Sequence, residues 1–216
     1  MHRSRRFFPR LIKRLFELFW VAFCAILLVL PATGVGLLIW VVQGRPIFFG
    51  SRRVGLNGRA FTMWKFRTMT SVSHDSGVSG ADKRERITPL GVWLRATRVD
   101  EFPQLWNILC GHLSFVGPRA PLPEYYAAYP DLYRQVLQVK PGITGLATLR
   151  YHAREEAVLA VCETPEETDA AYRRVCIPRK ANLDLIYAEH WSLCFDLALM
   201  WETLVKLLSR RFGDPS

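Results

Sequence analysis

Hydrophobic and polar positions divide the chain into three stretches. Leu18 to Val42 is a run of 25 residues without a charge. As a straight helix it would be about 37 Å long, against a hydrocarbon core of roughly 30 Å. Pro31 stands near its middle, followed by Gly34 and Gly36. Proline removes a backbone donor and disfavours helix at Leu30, which leaves two segments of about 16–20 Å, each roughly half a bilayer. Residues 46–69, PIFFGSRRVGLNGRAFTMWKFRTM, form two strand-like runs around Leu56-Asn57-Gly58 and predict a β-hairpin. Residues 70–83 are small and polar, the composition of a mobile loop.

Beyond Pro89 the pattern turns helical. LGVWLRATRV and FPQLWNILCGH read as two helices, the second stopped by Gly111. Three prolines in SFVGPRAPLP predict loop over 114–123. Tyr125–Val139 is a helix interrupted near Pro130, Pro141-Gly142 and Gly145 mark a turn, and Glu155–Arg174 reads as a peripheral helical excursion. Ala181–Arg211 is read as helical throughout, its apolar surface fitting either a core or an anionic membrane. The expected fold is α+β and mostly helical: an N-terminal membrane helix hairpin, a small β-hairpin, and amphipathic helices at the membrane interface. The expected boundary divides a basic N-terminus and membrane element, 1–44, from a cytosolic domain, 45–216.

Charge decides how the apolar run sits. Six basic residues precede it (Arg3, Arg5, Arg6, Arg10, Lys13, Arg14) and six follow it (Arg45, Arg52, Arg53, Arg59, Lys65, Arg67). Lysine and arginine mark cytoplasmic flanks. A through-span would place one basic flank on the wrong side. A re-entrant helix broken at Pro31 satisfies both, and a plain or kinked span is the competing reading. The run is too long for a cleavable signal peptide, and Arg45 stands where small residues should mark cleavage. The formal net charge of +10 favours an anionic partner: nucleic acid, an anionic membrane face or a phosphorylated substrate. Five scattered cysteines with no CxxC disfavour a disulfide framework or a zinc finger and fit a reducing compartment.

The densest candidate chemistry is Arg95-Ala-Thr-Arg98-Val-Asp100-Glu101-Phe102-Pro103. Pro103 suits the first position of a helix, so Asp100 and Glu101 lie just ahead of a helix N-terminus, which favours ionised carboxylates. Two adjacent carboxylates can hold Mg²⁺ with water and phosphate, or one can attack an electrophilic phosphorus. They can also simply cap the helix and pair with the arginines. Lys65 and Arg67 alternate on one strand face, able to bind phosphate or to be solvated. Gly117-Pro118-Arg119 is a rigid loop presenting a guanidinium matched to phosphate oxygens, or a tight turn with a surface arginine. His152 and His190 have no metal-ligand spacing, and no HExxH, P-loop, GxGxxG or GxSxG occurs.

VGLNGRAFTMWKFRTM, RATRVDEFPQLWNILCGHLSFVGPRAPLPEYY, VKPGITGLATL and LDLIYAEHWSLCFDLALMWETL, in this order and spacing, resemble the bacterial sugar transferase family. These are the monotopic polyprenyl-phosphate phosphoglycosyl transferases. The resemblance implies an enzyme that moves a sugar 1-phosphate from a UDP-sugar to undecaprenyl phosphate and releases UMP, the first membrane step of surface glycan assembly. It implies Asp100 as nucleophile and a covalent phosphosugar intermediate, with Glu101 helping Asp100 hold Mg²⁺. It implies substrate-binding roles for Lys65, Arg67, Arg95, Pro118, Arg119 and Asp184, and a helix re-entrant around Pro31. It implies a bacterial inner membrane protein with its site on the cytoplasmic face, bilayer lipids and no nucleic acid among its partners, and leaves a homo-oligomer open. The chain departs from the family pattern at Ala120, His112 and Leu30. The arginine that meets the nucleotide is not fixed either; Arg150, His152 or Arg154 could take its place. Two other functions remain in contention: a membrane-bound nucleotide-sugar hydrolase, and a non-enzymatic membrane-anchored basic module.

Overall fold

The computed structural model describes residues 7–70 and 86–212. The basic residues Arg3, Arg5 and Arg6, and almost all of the polar loop expected at 70–83, lie outside the described residues. Helix α1 spans Phe7–Gln43. It runs without interruption through Pro31, so proline does not end it as the sequence suggests. Two residues on, Thr33 Oγ1 donates to the Val29 carbonyl at 2.7 Å, a back-bond that bends helices. The stretch Leu11–Gln43 contains an 18-residue window of mean hydropathy 2.5, enough to cross a membrane by length and composition. Leu30 beside the proline is 80% exposed, an apolar surface that needs a non-aqueous partner.

α1 touches the rest of the molecule at two places. Val21 packs with Phe61, Met63, Ile108 and Leu113, and Ile39 packs with Phe66 and Leu94. Between them the helix stands off and leaves an apolar cleft of about 470 Å³, floored by Phe66, Phe102 and Leu105. Polar contacts fasten both ends. Arg14 donates to the carbonyls of Ile108 and Leu109 at 2.7 and 2.6 Å. Arg67 donates to Gly44 O at 2.9 Å, to Arg45 O at 3.0 Å and to Gln43 O. Each arginine sits where a helix leaves carbonyls without partners, and its charge suits the negative end of the dipole.

Strands β1 (Phe48–Val54) and β2 (Ala60–Phe66) pair antiparallel, Phe48 opposite Phe66 and Val54 opposite Ala60. Asn57 and Gly58 take the left-handed backbone of the turn between them, as the Asn-Gly pair predicts. Helix α2 (Pro89–Ala96) is capped by Thr88, whose hydroxyl accepts from Gly91 N at 2.9 Å. A tight 3₁₀ turn, Val99–Glu101, leads to α3 (Gln104–Leu109). Pro103 is the N-cap of α3 rather than its first residue, so the carboxylate pair occupies its own turn one step further from the helix.

The proline-rich stretch after α3 is not all loop. β3 (Ser114–Val116) pairs in parallel with β4 (Gly142–Thr144), joined through α4 (Pro123–Ala128) and α5 (Pro130–Val136). The backbones cross so closely that a Cβ on Gly117 would stand 2.2 Å from Lys140 O, and one on Gly142 would stand 2.2 Å from Gly117 N. Only glycine permits that approach. α6 (Leu146–Ala160), α7 (Pro165–Ala171), a π turn (Tyr172–Cys176) and α8 (Ile177–Glu189) follow. With α4 and α5 they enclose a tyrosine-rich core around Val136, Leu137 and Ile177. The helix expected over 181–211 is two: α9 (Leu193–Phe212) starts anew, because Ser192 Oγ accepts from Phe195 N at 3.1 Å and caps a fresh first turn. The small antiparallel hairpin and mostly helical content match the expectation; the parallel pair does not appear in it.

Candidate active site

Strand β2 and the turn before α3 build the site. Asn107, on α3, accepts from Trp64 N at 3.0 Å and donates to Thr62 O at 2.7 Å. Its buried amide thus acts as one more strand residue on β2 and fixes α3 against it. That locks the Val99–Glu101 turn opposite Lys65. Arg98 reaches the turn with a left-handed backbone, φ 55°. Lys65 Nζ lies 3.3 Å from Glu101 Oε1 and 3.7 Å from Asp100 Oδ2. Arg98 Nη2 donates to Glu101 Oε2 at 2.7 Å.

The two carboxylates are therefore unequal. Asp100 is only 6% exposed. Burial pushes its carboxyl above the usual carboxylate range; Lys65 opposes this, and the neighbouring Glu101 charge adds to the rise. Burial also works to raise Glu101, but Lys65 and Arg98 together outweigh it and hold its carboxyl below the ordinary range. Glu101 is a firmly ionised, doubly engaged acid. Asp100 is a desolvated carboxylate whose charge is supported by Lys65 first and by Arg95 and Arg98 after it.

Arg119 faces the pair. With Lys65, Glu101, Gln104 and Ile143 it lines a small cavity. Among the described residues no carboxylate pairs with it in a salt bridge. Pro118 is buried, and its carbonyl accepts from Gly142 N at 2.8 Å, which holds the Gly117–Arg119 loop against β4. Arg53, on β1, lies behind: it donates to Ala120 O at 3.2 Å, and burial together with the Arg119 charge pushes its pKa down to about 10. Arg95 sits one layer away, with Nε donating to Thr68 Oγ1 at 2.9 Å.

Other residues expected at the site lie elsewhere. Arg67 does not share the fate of Lys65, because β2 ends at Phe66 and the next residue turns to cap α1. Arg150 is paired with Glu202 of α9. His152 lies 3.9 Å from Glu156 on the exposed side of α6. Asp184 is buried on α8 with Oδ1 lacking a hydrogen-bond partner, and burial raises its pKa to about 7 against the pull of Lys180. Arg98, visible in the sequence only as local charge, is the shortest partner of Glu101; its i,i+3 spacing was the available signal. Asn107 could have been found as the lone amide in the apolar run LWNILC.

Among the described residues no group of three or more His, Cys, Asp or Glu could cage a metal. The dyad alone offers carboxylate oxygens, the donor chemistry of a hard cation such as Mg²⁺ that takes its remaining ligands from phosphate and water.

A model of the bacterial sugar transferase family matches residues 8–210. The chain belongs to the bacterial sugar transferase family. Similar proteins include the uncharacterized sugar transferase EpsL of Bacillus subtilis (strain 168), 35% identical over 92% of this chain and 88% of the relative. The exopolysaccharide production protein PSS of Rhizobium leguminosarum bv. phaseoli is 34% identical over 94% of this chain and 98% of its own length. The UDP-glucose:undecaprenyl-phosphate glucose-1-phosphate transferase of Klebsiella pneumoniae is 34% identical over 74% of this chain. The match spans only 32% of that larger relative. The protein is thus a transferase of this family, and the site above is its candidate active site.

Proposed function

We propose that the protein transfers a sugar 1-phosphate from a UDP-sugar to undecaprenyl phosphate in two steps on Asp100. The observation that carries this is the asymmetry of the dyad: a desolvated Asp100 beside an ionised, charge-paired Glu101, faced by Arg119, which among the described residues forms no salt bridge with a carboxylate. An Asp100 oxygen attacks the sugar-bearing phosphorus, the bond to the UMP oxygen breaks, and UMP leaves. A phosphate oxygen of the lipid then attacks the same phosphorus, the bond to Asp100 breaks, and the carboxylate is regenerated. Lys65 holds Asp100 ionised for the first step, and Arg119 meets phosphate oxygens as charge builds on them. Asp100 and Glu101 would hold Mg²⁺, which when bound would offset the charge of the diphosphate. Lys65 and Arg98 hold the Glu101 carboxyl below its ordinary range and so favour its charged form in both steps.

The names of the relatives support the substrates. We place the site on the cytoplasmic face of the inner membrane, with residues 1–44 entering and leaving the same leaflet and 45–216 forming the catalytic domain. Fastening of both ends of the uninterrupted α1 to one domain supports ends on the same side of the bilayer, as do exposed tryptophans on α2, α3 and α9 (Trp93, Trp106, Trp201) suited to the headgroup layer.

The test is donor labelled in the sugar phosphate, without acceptor. The wild-type chain should retain label on Asp100 and release UMP, and Asp100→Asn should do neither while still inserting in membranes. Label absent from the wild-type chain, with UMP released only when lipid is present, would rule out the covalent step. UMP release with free sugar phosphate, independent of lipid, would identify a hydrolase.

A further inference from the structure

The peptide unit between Val116 and Gly117 is held at both ends. Its N–H donates to Thr144 O at 2.9 Å. Its C=O accepts from Lys13 Nζ at 3.1 Å, a residue 103 positions away on α1. This unit opens the Gly117-Pro118-Arg119 loop, so its plane sets the direction in which Arg119 leaves the backbone.

The surrounding network is closed. Lys13 Nζ lies 2.9 Å from Asp196 Oδ2, 3.0 Å from the Tyr187 hydroxyl and 3.1 Å from Val116 O. An ammonium has three protons and here meets three acceptors. The single Tyr187 hydrogen follows the shorter contact, 2.6 Å to Asp196 Oδ1 rather than 3.0 Å to Val116 O. Trp191 Nε1 donates to Asp196 Oδ2 at 3.0 Å. Tyr187 and Asp196 are buried. Lys13 is therefore the donor that serves Val116 O. It belongs to the stretch of α1 just ahead of the apolar run, whereas Val116 ends β3, directly ahead of the loop that carries Arg119.

We infer that Lys13 is a positioning residue for the donor phosphate site: it fixes the Val116–Gly117 peptide and through it the aim of Arg119, making the cytosolic arm of the membrane helix part of the active-site scaffold. This rests on the proposed role of Arg119 toward the donor phosphates. Lys13 does not reach substrate itself.

The test pairs Lys13→Met with Asp196→Asn in one chain. Removing both charges leaves no buried carboxylate without its cation; the asparagine oxygen keeps one of the two donors. A parallel chain that adds Tyr187→Phe removes the hydroxyl that could otherwise turn to Val116 O, with the same outcome expected. In full-length protein in nanodiscs, the double variant should raise KM for a UDP-sugar about tenfold, the effect of losing one hydrogen bond to a charged donor. kcat and KM for undecaprenyl phosphate should change less than about twofold. Amide exchange should rise over 114–120 and 140–146 and stay unchanged over α8. An unchanged donor KM with unchanged exchange over those segments would overturn the inference. A uniform rise in exchange across the chain, with both KM values worsening together, would show a general structural role and overturn it too. The exchange measurement needs no turnover, so it decides the loop's dependence on Lys13 even if the wild-type chain transfers no sugar phosphate.

Discussion

Gly117→Ala tests the crossing that holds Arg119 to the site. The added Cβ would lie 2.2 Å from Lys140 O, 3.0 Å from Gly142 N and 3.1 Å from Pro141 C. All three contacts are backbone, so no side chain can swing aside. Relief to ordinary contact requires the two segments to part by about 1 Å, which puts their hydrogen bonds beyond useful length. Those bonds are Ser114 N to Pro141 O at 2.8 Å, Gly117 N to Thr144 O at 2.9 Å and Gly142 N to Pro118 O at 2.8 Å. At about 1 kcal/mol each, the loss is about 3 kcal/mol, a large share of a typical native stability of roughly 5–15 kcal/mol. For a chain of this size that lowers the melting temperature by roughly 6–12 °C. Activity should fall further than stability, by about a hundredfold at a temperature where the variant is folded, because a 1 Å displacement of a positioned group costs about that much. Melting by circular dichroism in nanodiscs and UMP release from a UDP-sugar measure the two effects. A variant that melts with the parent and turns over at the parent rate would refute the account of this crossing.

Two titrations carry further expectations. Lys65→Met removes the cation that opposes the rise of Asp100. The acid limb of kcat/KM should therefore move to higher pH, and a limb that stays in place would detach Lys65 from the reactive carboxylate. Asp184 has a folded pKa of about 7 against an ordinary value of 3.8. A raised carboxyl contributes stability that is complete below the unfolded pKa and is lost as pH climbs to the folded one. Wild-type stability should thus fall between about pH 4 and pH 7, by on the order of 4 kcal/mol at most, and the melting temperature with it. Asp184→Asn should flatten that slope; parallel wild-type and variant profiles would show that Asp184 is not buried as an unpaired acid.

The parts of the fold that could be read from the sequence were those with a strong local period or a strong local stop. The 25-residue apolar run is helix α1, and the alternation around Asn57-Gly58 is the β1–β2 hairpin. The β3–β4 pair was hidden because three-residue strands are too short to show a period of two, and three prolines argued for loop. Their pairing is fixed instead by the mutual closeness of Gly117 and Gly142, a property of two distant segments that neither displays alone. Lys65 and Arg67 share a face only while the strand continues. Its end at Phe66 sends the second to the carbonyls of α1, and no spacing in KFRTM records where pairing stops. The acidic dyad was legible as a motif. The inequality of its members was not, because it arises from burial and from which cation reaches which oxygen.

The same contacts explain why the membrane element and the site must be considered together. A straight helix the length of α1, 37 residues, would extend about 55 Å, well beyond a hydrocarbon core of roughly 30 Å. Yet Arg14 near its start is bonded to the end of α3, and Gln43 and Gly44 at its finish are bonded to Arg67 just past β2. Asn107 ties α3 directly to β2. A through-span would carry one of these fastenings to the far side of the bilayer and break it. The proposed seating, with both ends on one side, keeps both, at no cost in buried unpaired carbonyls. The elements that receive the fastenings also carry the candidate site: Lys65 lies two residues before Arg67, about 7 Å along the chain, and Asp100-Glu101 lie just ahead of α3. A shift of either end of α1 would therefore move Lys65 relative to Asp100, which places the reactive carboxylate under the control of how the apolar helix is seated.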